Sequence, residues 1–526
     1  MKKLFTIILM AATILTACTK ENIPVACQIV TINATIAGDT KVALGEGENE
    51  KKVNWTEGDV INLTIDETQY PFTWQEGTTF AYTGDATLPA LTQGMQITAT
   101  QASNFNSTQT GMKANVGNYM ALSAEQTVTT EQSYGDLNLT FSHGTSVLKL
   151  TLSNDAFKGN DVTGITLKAG STVVATATET FRGEADNGDV TIYFAIPSTS
   201  FNMQNVSLSA TCGGNKYFGT LTNKELTSGK LYNATASLAS ACFLPKGSTF
   251  KSKITTFLDD NPTLTKIQFI ANTDWVPEGT QIETCGAYMV ANTGIQTLEI
   301  RTATSCFVFN EDCKSMFSGS AVGSGLSGIR NITSIDFGNS INTMQVNSMR
   351  SMFYNCTNLV ELKLGSSFNT GSVTTMYSMF YKCQKLTEIN LSSFNTQNVQ
   401  NMYMMFCYCE AIENLDLSSF NTSNVTNMHG MFAFCSKLNS LTFGSNFNTV
   451  NVNNMGYMFQ RINNGNSNAL DLNLTGFTFK SEVNIDEIFQ DAGNTNVRVT
   501  ETGYNFLKNK KTSNITFVKE DGTPWE

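Results

Sequence analysis

The apolar residues follow two rhythms, one in each half of the chain. From about residue 28 to 240, short runs such as LNLTF, VLKLTL, DVTIYFAI and VSLSAT alternate apolar and polar side chains between turn residues. A period of two puts every second side chain on one face, so these runs predict strands, and their number predicts an all-β sandwich. The C-terminal half has a longer period. Met-Phe pairs close successive units at Phe353, Phe380, Phe406, Phe432 and Phe459, at intervals of 27, 26, 26 and 27 residues. That period predicts stacked units, none of which buries its apolar face alone.

One unit, residues 386–409, reads LTEINLSSFNTQNVQNMYMMFCYC. Leu386, Ile389 and Leu391 predict a strand with polar outward positions. Phe394 leads the chain off it. Val399, Met402, Met405 and Phe406, spaced three, three and one, predict a short helical or 3₁₀ stretch lying back over the core. Gly365 and Gly444 are the extra residues of the longer units. Partial units near 298–317 and 470–489 are expected where an open core must be capped.

Each unit carries an asparagine at the same place, Asn342, Asn369, Asn395, Asn421 and Asn448, followed by a threonine. A bend outside any strand ladder leaves backbone groups that an amide at every turn can satisfy, so a structural ladder is expected. Cys356, Cys383, Cys409 and Cys435 recur with the same period. Rungs ~4.8 Å apart hold their Cβ atoms beyond the ~3.8 Å of a disulfide, which predicts free thiols filling the core. The outward side chains Thr333, Asp336, Glu361, Lys363, Glu388, Asn390, Glu413, Asp416, Ser440 and Thr442 then make a polar face of five rungs. At ~4.8 Å per rung it spans roughly 20–25 Å and is the candidate binding face.

Charge and composition narrow the chemistry. Lys+Arg number 33 against 44 Asp+Glu, a net charge of −11, which argues against nucleic acid as a partner. Two histidines, His143 and His429, lie far apart, and neither clustered carboxylates nor a nucleophile with its base is evident. The expectation is no catalytic residue, no metal and no cofactor, with His143 in a core or strand-end role and His429 on a surface bend. The string GSGLSG at 323–328 satisfies GxGxxG without a βαβ unit around it. Asp259-Asp260 falls short of the six to eight oxygens of a calcium site and is expected in a solvated turn.

Residues 1–18, MKKLFTIILMAATILTAC, combine two lysines, an apolar run and a cysteine. This is a secretory signal, too short to remain as a membrane span. Its end, LTAC, resembles the bacterial lipobox, which implies cleavage before Cys18, a lipid on Cys18, and the outer membrane as a partner through that lipid. The following TKENIP holds one acidic residue, a weak surface-export signal of the kind seen in Bacteroidetes lipoproteins.

The unit SFNTSNVTNMHGMFAFCSKLNSLTF resembles the leucine-rich repeats of BspA-type bacterial surface proteins, over about residues 298–490. The stretch FLPKGSTFKSKITTFLDDNPTLTKIQF, from Phe243, resembles the segment that leads into such repeats. This resemblance implies surface display and adhesion to host matrix protein or other cells, without catalysis. In the N-terminal half, KVNWTEGDVINL (52–63), DLNLTFSHGTSVLKLTL (136–152) and LTSGKLYNATASL (226–238) resemble the fimbrillin-like (Mfa-like) proteins of Bacteroidales. That implies two transthyretin-like sandwich lobes. The fold class is therefore mainly β, a tandem β-sandwich followed by a repeat solenoid. The expected divisions are a signal peptide 1–17, an anchored linker 18–30, sandwich lobes 31–140 and 141–240, and a lead-in or capping segment 241–297. Repeats at 298–490 and a C-terminal cap at 491–526 complete it. The expected function is a non-catalytic lipoprotein adhesin. The rivals are a tip or accessory subunit of a fimbrillin-type pilus, with pilus subunits as partners, and an envelope glycan-active enzyme. Polymerising fimbrillins are generally cut after an arginine, and no arginine precedes Arg182, although Lys41 or Lys52 could serve another protease.

Overall fold

The computed structural model describes residues 31–36, 60–76, 79–101, 108–109, 122–127, 138–143, 145–197, 206–221, 231–319 and 328–525. The signal segment, Cys18, Lys41, Lys52 and most of GSGLSG lie outside the described residues. The protein is mainly β, built of several sheets.

The first lobe contains β1 (Thr31–Ile36), β2 (Val60–Ile65), β3 (Thr68–Glu76), β4 (Thr79–Tyr82), β5 (Gln96–Gln101), β7 (Leu122–Thr127) and β8 (Asn138–His143), whereas β6 (Thr108–Gln109), between β5 and β7 in the chain, pairs parallel with the strand Thr172–Ala177 of the second lobe. Antiparallel pairing runs β4-β3-β2-β5-β7-β8, and β1 joins its two ends, antiparallel to β4 and parallel to β8. The pairing path thus returns to its start. Closure leaves no bare strand edge in this path. Alternate residues of β2, Ile61, Leu63 and Ile65, pack inward with Phe72, Phe80 and Ile97.

The second lobe holds β9 (Thr145–Ser153), β10 (Asp161–Ala169), β11 (Thr172–Ala177), β12 (Phe181–Arg182), β13 (Val190–Pro197), β14 (Val206–Cys212), β15 (Asn215–Thr220), β16 (Leu231–Ser237) and β17 (Ala239–Phe243). β9 lies antiparallel to β13 and parallel to β16. Leu148, Leu150 and Leu152 of β9 and Ile192, Phe194 and Ile196 of β13 share one core with Leu167 of β10 and Leu208 of β14, from the opposing sheet. This lobe is a two-sheet sandwich.

The expected lobe boundary at 140/141 falls inside β8, and that at 240/241 inside β17. β17 is shared between the two halves of the molecule. It pairs antiparallel with β15 and, along its other edge, parallel with Cys306–Val308 in the repeat half, so one sheet crosses from sandwich to repeat. Beside that sheet, Gln345 donates to Ser207 at 3.1 Å, both buried, and Lys168 lies 3.8 Å from Glu311.

Helix α1 (Gly247–Asp260) buries Phe250, Ile254 and Leu258, spaced four apart, over the first end of the repeat core. A Cβ on Gly247 would stand 2.7 Å from the Cys313 carbonyl carbon, so this close approach needs glycine. Asp259 and Asp260, expected in a turn, end this helix. Then come β18 (Lys266–Ala271), β19 (Thr280–Ile282), β20 (Ala287–Asn292), β21 (Thr297–Thr302), β22 (Cys306–Val308), β23 (Ser334–Asp336), β24 (Ile341–Asn342) and β25 (Glu361–Lys363). The order β19-β20-β21-β18-β23-β25 starts antiparallel and becomes parallel. Parallel pairing resumes at β26 (Asn414–Leu417) with β27 (Ser440–Phe443), and at β28 (Leu470–Asn473) with β29 (Thr495–Arg498). After helix α2 (Glu501–Leu507), β30 (Ile515–Val518) pairs with β29, so parallel strands continue through the segment expected as a cap.

One apolar cluster runs from Cys242 to Phe517. At its centre Phe317, Phe353, Phe380, Phe406, Phe432, Phe459 and Phe489 stack in file, with neighbouring centroids 5.4–6.1 Å apart and planes within 12°. Each ring covers the next.

The Met-Phe stretch is not the short helix its spacing predicts. Met376, Ser378, Phe380 and Lys382 donate their N–H groups at 2.8–3.0 Å to carbonyls of the following unit, from Asn401 to Cys407. Between them Met379 and Tyr381 make i→i−3 bonds, so the 3₁₀ element survives in fragments. Ser378 and Lys382 are left-handed, at φ 51° and 59°, as are Met404 and Tyr408 one unit on. Two left-handed residues per turn stop a helix, and the neighbouring unit supplies the bonds a helix would have made internally.

Candidate functional site

The strand face of the repeat carries an open groove with a cavity volume of about 1280 Å³. Its floor is β23 and β25 and its far wall is the segment 387–393, which follows β25 without pairing as a strand. Of the ten candidate face residues, Thr333, Glu361, Lys363, Glu388 and Asn390 line it, whereas Asp336, Glu413, Asp416, Ser440 and Thr442 do not.

Register explains part of that division. Ile335 points inward and pairs with Leu362, so Ser334 and Asp336 are the outward neighbours of Glu361 and Lys363. Thr333 lies one position early. Its hydroxyl donates to Thr265 O at 3.1 Å, tying adjacent coils together. Glu413 has the same displacement: Asn414 pairs with Ser440, and Asp416 with Thr442. Strict alternation outward from Ile335 and Leu415 would have found Ser334 and Asn414. Three further candidates are occupied with the turns that end their strands. Asp336, Asn390 and Asp416 each accept the N–H two residues on, at 2.8–3.0 Å.

The charges in the groove are partly paired. The Glu361 carboxylate accepts from Lys363 at 2.9 Å and from the Ser334 hydroxyl at 2.9 Å. The ammonium and then the hydroxyl hold its pKa below the usual carboxylate range, and the carboxylate raises that of Lys363. Lys266 and Glu388 line the same groove, at its two sides, outside any ion pair among the described residues. Lys266 escaped the sequence reading because it precedes the repeat, on β18, yet it faces Ser334 in register.

The expected ladders have distinct jobs. Asn342, Asn369, Asn395, Asn421 and Asn448 each accept the N–H two residues on, at 2.8–3.3 Å, and so work within their own coil. The threonines that follow hold coil to coil. Thr370 Oγ1 donates to Asn395 O at 2.9 Å and accepts from Asn395 N at 2.9 Å, and Thr343, Thr396, Thr422 and Thr449 do likewise. All five are buried. A second asparagine ladder went unread. Asn401, Asn427, Asn454 and Asn484 accept from the residue two positions on, at 2.8–3.0 Å.

Cys356, Cys383, Cys409 and Cys435 are free and buried, and each thiol donates to a phenylalanine carbonyl of the preceding coil at 3.1–3.3 Å. Burial pushes the Cys356 thiol up to about 12 and the others well above their usual value. Cys285 behaves oppositely. It is half-buried, and a hydrogen bond with the neighbouring Cys242 thiol holds it below the usual thiol range. His429 stacks on Tyr403 at 5.1 Å within a file of rings on the flank of the repeat. His143 ends β8, opposite Leu122. Among the described residues, no group of three or more His, Cys, Asp or Glu side chains is placed to hold a metal ion.

No helix among the described residues is long and apolar enough to cross a membrane. The family described as "Mycoplasma protein of unknown function, DUF285" matches residues 311–442 and 390–502, less than half of the chain. No curated protein matches. Similar solved structures include "a putative cell adhesion protein" from Bacteroides ovatus ATCC 8483, 15% identical, covering 40% of this chain and 95% of its own, with a TM-score of 0.27. Identically described proteins from Bacteroides uniformis ATCC 8492 and Bacteroides fragilis NCTC 9343 are 12% and 14% identical over 40% of this chain. They cover 97% and 92% of their own lengths, with TM-scores of 0.25 and 0.26. The repeat that carries the groove is thus also the part of the chain that a known family matches.

Proposed function

We propose that this chain is a non-catalytic surface adhesin, anchored to the outer membrane through lipid on Cys18. In this reading residues 298–490 form a BspA-type leucine-rich-repeat solenoid on a fimbrillin-like base. The groove binds an extracellular host matrix protein or a protein of another cell's surface. The observation that carries the reading is the groove over β23 and β25, a polar surface spanning several coils with charges of both signs at its sides. Extended faces of stacked repeats bind through many contacts spread over several units. The test is binding of the purified full chain to immobilised fibronectin, fibrinogen and collagen. Saturable binding that falls at least tenfold in a Glu361→Lys/Glu388→Lys variant is expected. No binding to any of the three, or undiminished binding by the variant, contradicts it.

One observation favours the pilus reading as a second possibility. β1 is held along both edges, between β4 and β8, and Lys41 and Lys52 follow it in sequence. Cleavage after either lysine would release β1 and bare two strand edges for a donated strand. Intact-mass measurement of the mature protein decides it: an N-terminus at residue 42 or 53 supports the subunit role, and one at Cys18 removes it.

A further inference from the structure

A second cleft, of about 720 Å³, lies away from the strand face, where the β10–β11 turn approaches the bends of the repeat. The turn comes so close that a Cβ on Gly170 would stand 2.6 Å from Ser372 Oγ. This cleft differs in chemistry from the strand-face groove. All its lining side chains are uncharged, mostly amides and hydroxyls, whereas lysine and glutamate line the groove.

The amides in the cleft are fixed in direction. Asn398 donates Nδ2 to Gly371 O, Asn424 to Gln397 O and Asn451 to Ser423 O, each at 2.7 Å and each to the preceding coil. With their donors turned inward, the three Oδ1 atoms have no hydrogen-bond partner among the described residues. Thr374 and Thr426 likewise give their hydroxyl protons inward, to Asn347 O and Gln400 O at 3.1 Å, and keep their lone pairs. The cleft therefore presents a preorganised row of acceptors, one set per coil. A complementary ligand must supply donors at coil spacing without needing a counter-charge.

Stacked rings of the same coils put that spacing at 4.6 Å for Tyr377–Tyr403 and 5.1 Å for Tyr403–His429. An extended peptide repeats its same-side N–H groups every two residues, roughly 6.6 Å, and drifts out of step within a few coils. An extended hexose polymer advances by close to one coil interval per sugar and carries hydroxyl donors on both of its edges, so each coil meets a donor even where successive sugars are turned over. We propose that this cleft binds a neutral glycan chain lying along the repeat axis, one sugar per coil, held by Asn398, Asn424 and Asn451 and covered on one side by the β10–β11 turn.

The test is calorimetric titration of the full chain with neutral hexasaccharides and disaccharides of β-linked glucose, α-linked glucose, mannose, xylose and N-acetylglucosamine. At least one hexasaccharide should bind, at least tenfold more tightly than its disaccharide. Ser171→Trp, which fills the cleft from the turn without touching the asparagine ladder, should weaken that binding at least tenfold. Asn424→Ala should do so as well, with folding of both variants checked by circular dichroism. The strand-face variant Glu361→Lys/Glu388→Lys should bind glycan unchanged, so failure of this inference is distinguishable from failure of the adhesin reading. No binding at millimolar hexasaccharide overturns the proposal, as does binding indifferent to chain length or to Ser171→Trp. Preference for an unstructured polypeptide in the same cleft overturns it too.

Discussion

The sandwich half and the repeat half solve the same problem with different parts. In the second lobe, backbone pairing is continuous over long strands, as between β9 and β13, which match eight residues in register from Val190–Leu152 to Pro197–Thr145. Its side chains are left to fill one core. In the repeat, the strands from β22 onward are two to four residues long, and much of the coil lies outside any strand. Side chains take over there. Threonine hydroxyls, cysteine thiols and asparagine amides hold one coil to the next or close the turns within it. A sheet that makes its own bonds tolerates many sequences with the same alternation, whereas a coil held by side chains needs the same residue at the same place each time. That is why one half shows a period and the other shows only a rhythm.

The sharpest way to test that contrast is to remove a central ring. Phe406 is fully buried between Phe380 and Phe432, so Phe406→Ala should cost about 3–5 kcal/mol in the repeat. Denaturant unfolding, with the repeat and the lobes followed separately, checks it. A loss confined to the first lobe is the matching expectation for Phe72→Ala. Next in size is the clip. Thr396→Val keeps the shape but leaves both backbone groups of Asn421 without the hydroxyl, which should cost about 1–3 kcal/mol by the same measurement. Thr396→Ser should lose less. If Thr396→Val proves neutral, the threonines are not what joins the coils.

The cysteines give a smaller, chemical contrast. Thiolate is the reactive form, so iodoacetamide labelling of Cys285 should set in at lower pH than that of an ordinary exposed thiol. Cys356, Cys383, Cys409 and Cys435, pushed up by burial, should label only on unfolding. Peptide mass mapping after brief labelling reads both. The smallest effect is expected at the exposed pair Glu361–Lys363, where Glu361→Gln should leave the unfolding midpoint unchanged.

Much of this architecture was legible in the residues. The Phe353 to Phe459 period announced the stack, and the alternation in VLKLTL and DVTIYFAI announced β9 and β13. Other features depend on contacts that the local pattern does not carry. Ring closure of the first lobe needs β1 to meet β8, a hundred residues away in sequence, with nothing local to mark the partner. Val399, Met402 and Met405 look helical because apolar groups three apart suit a helix. The left-handed backbone at Ser378 and Met404 arises only once a neighbouring coil offers its carbonyls. At the groove, Glu361, Lys363, Glu388 and Asn390 were found, while Lys266 was missed because β18 joins the face from outside the period.

The adhesin reading requires the repeat half to stand outside the cell, on a base that stays with the membrane. Protease shaving of intact cells expressing the native chain, with an antibody to residues 298–490 and a periplasmic protein as control, tests that most directly. The repeat signal should be lost while the control survives. Full protection of the repeat under conditions that cleave a known surface protein would contradict it.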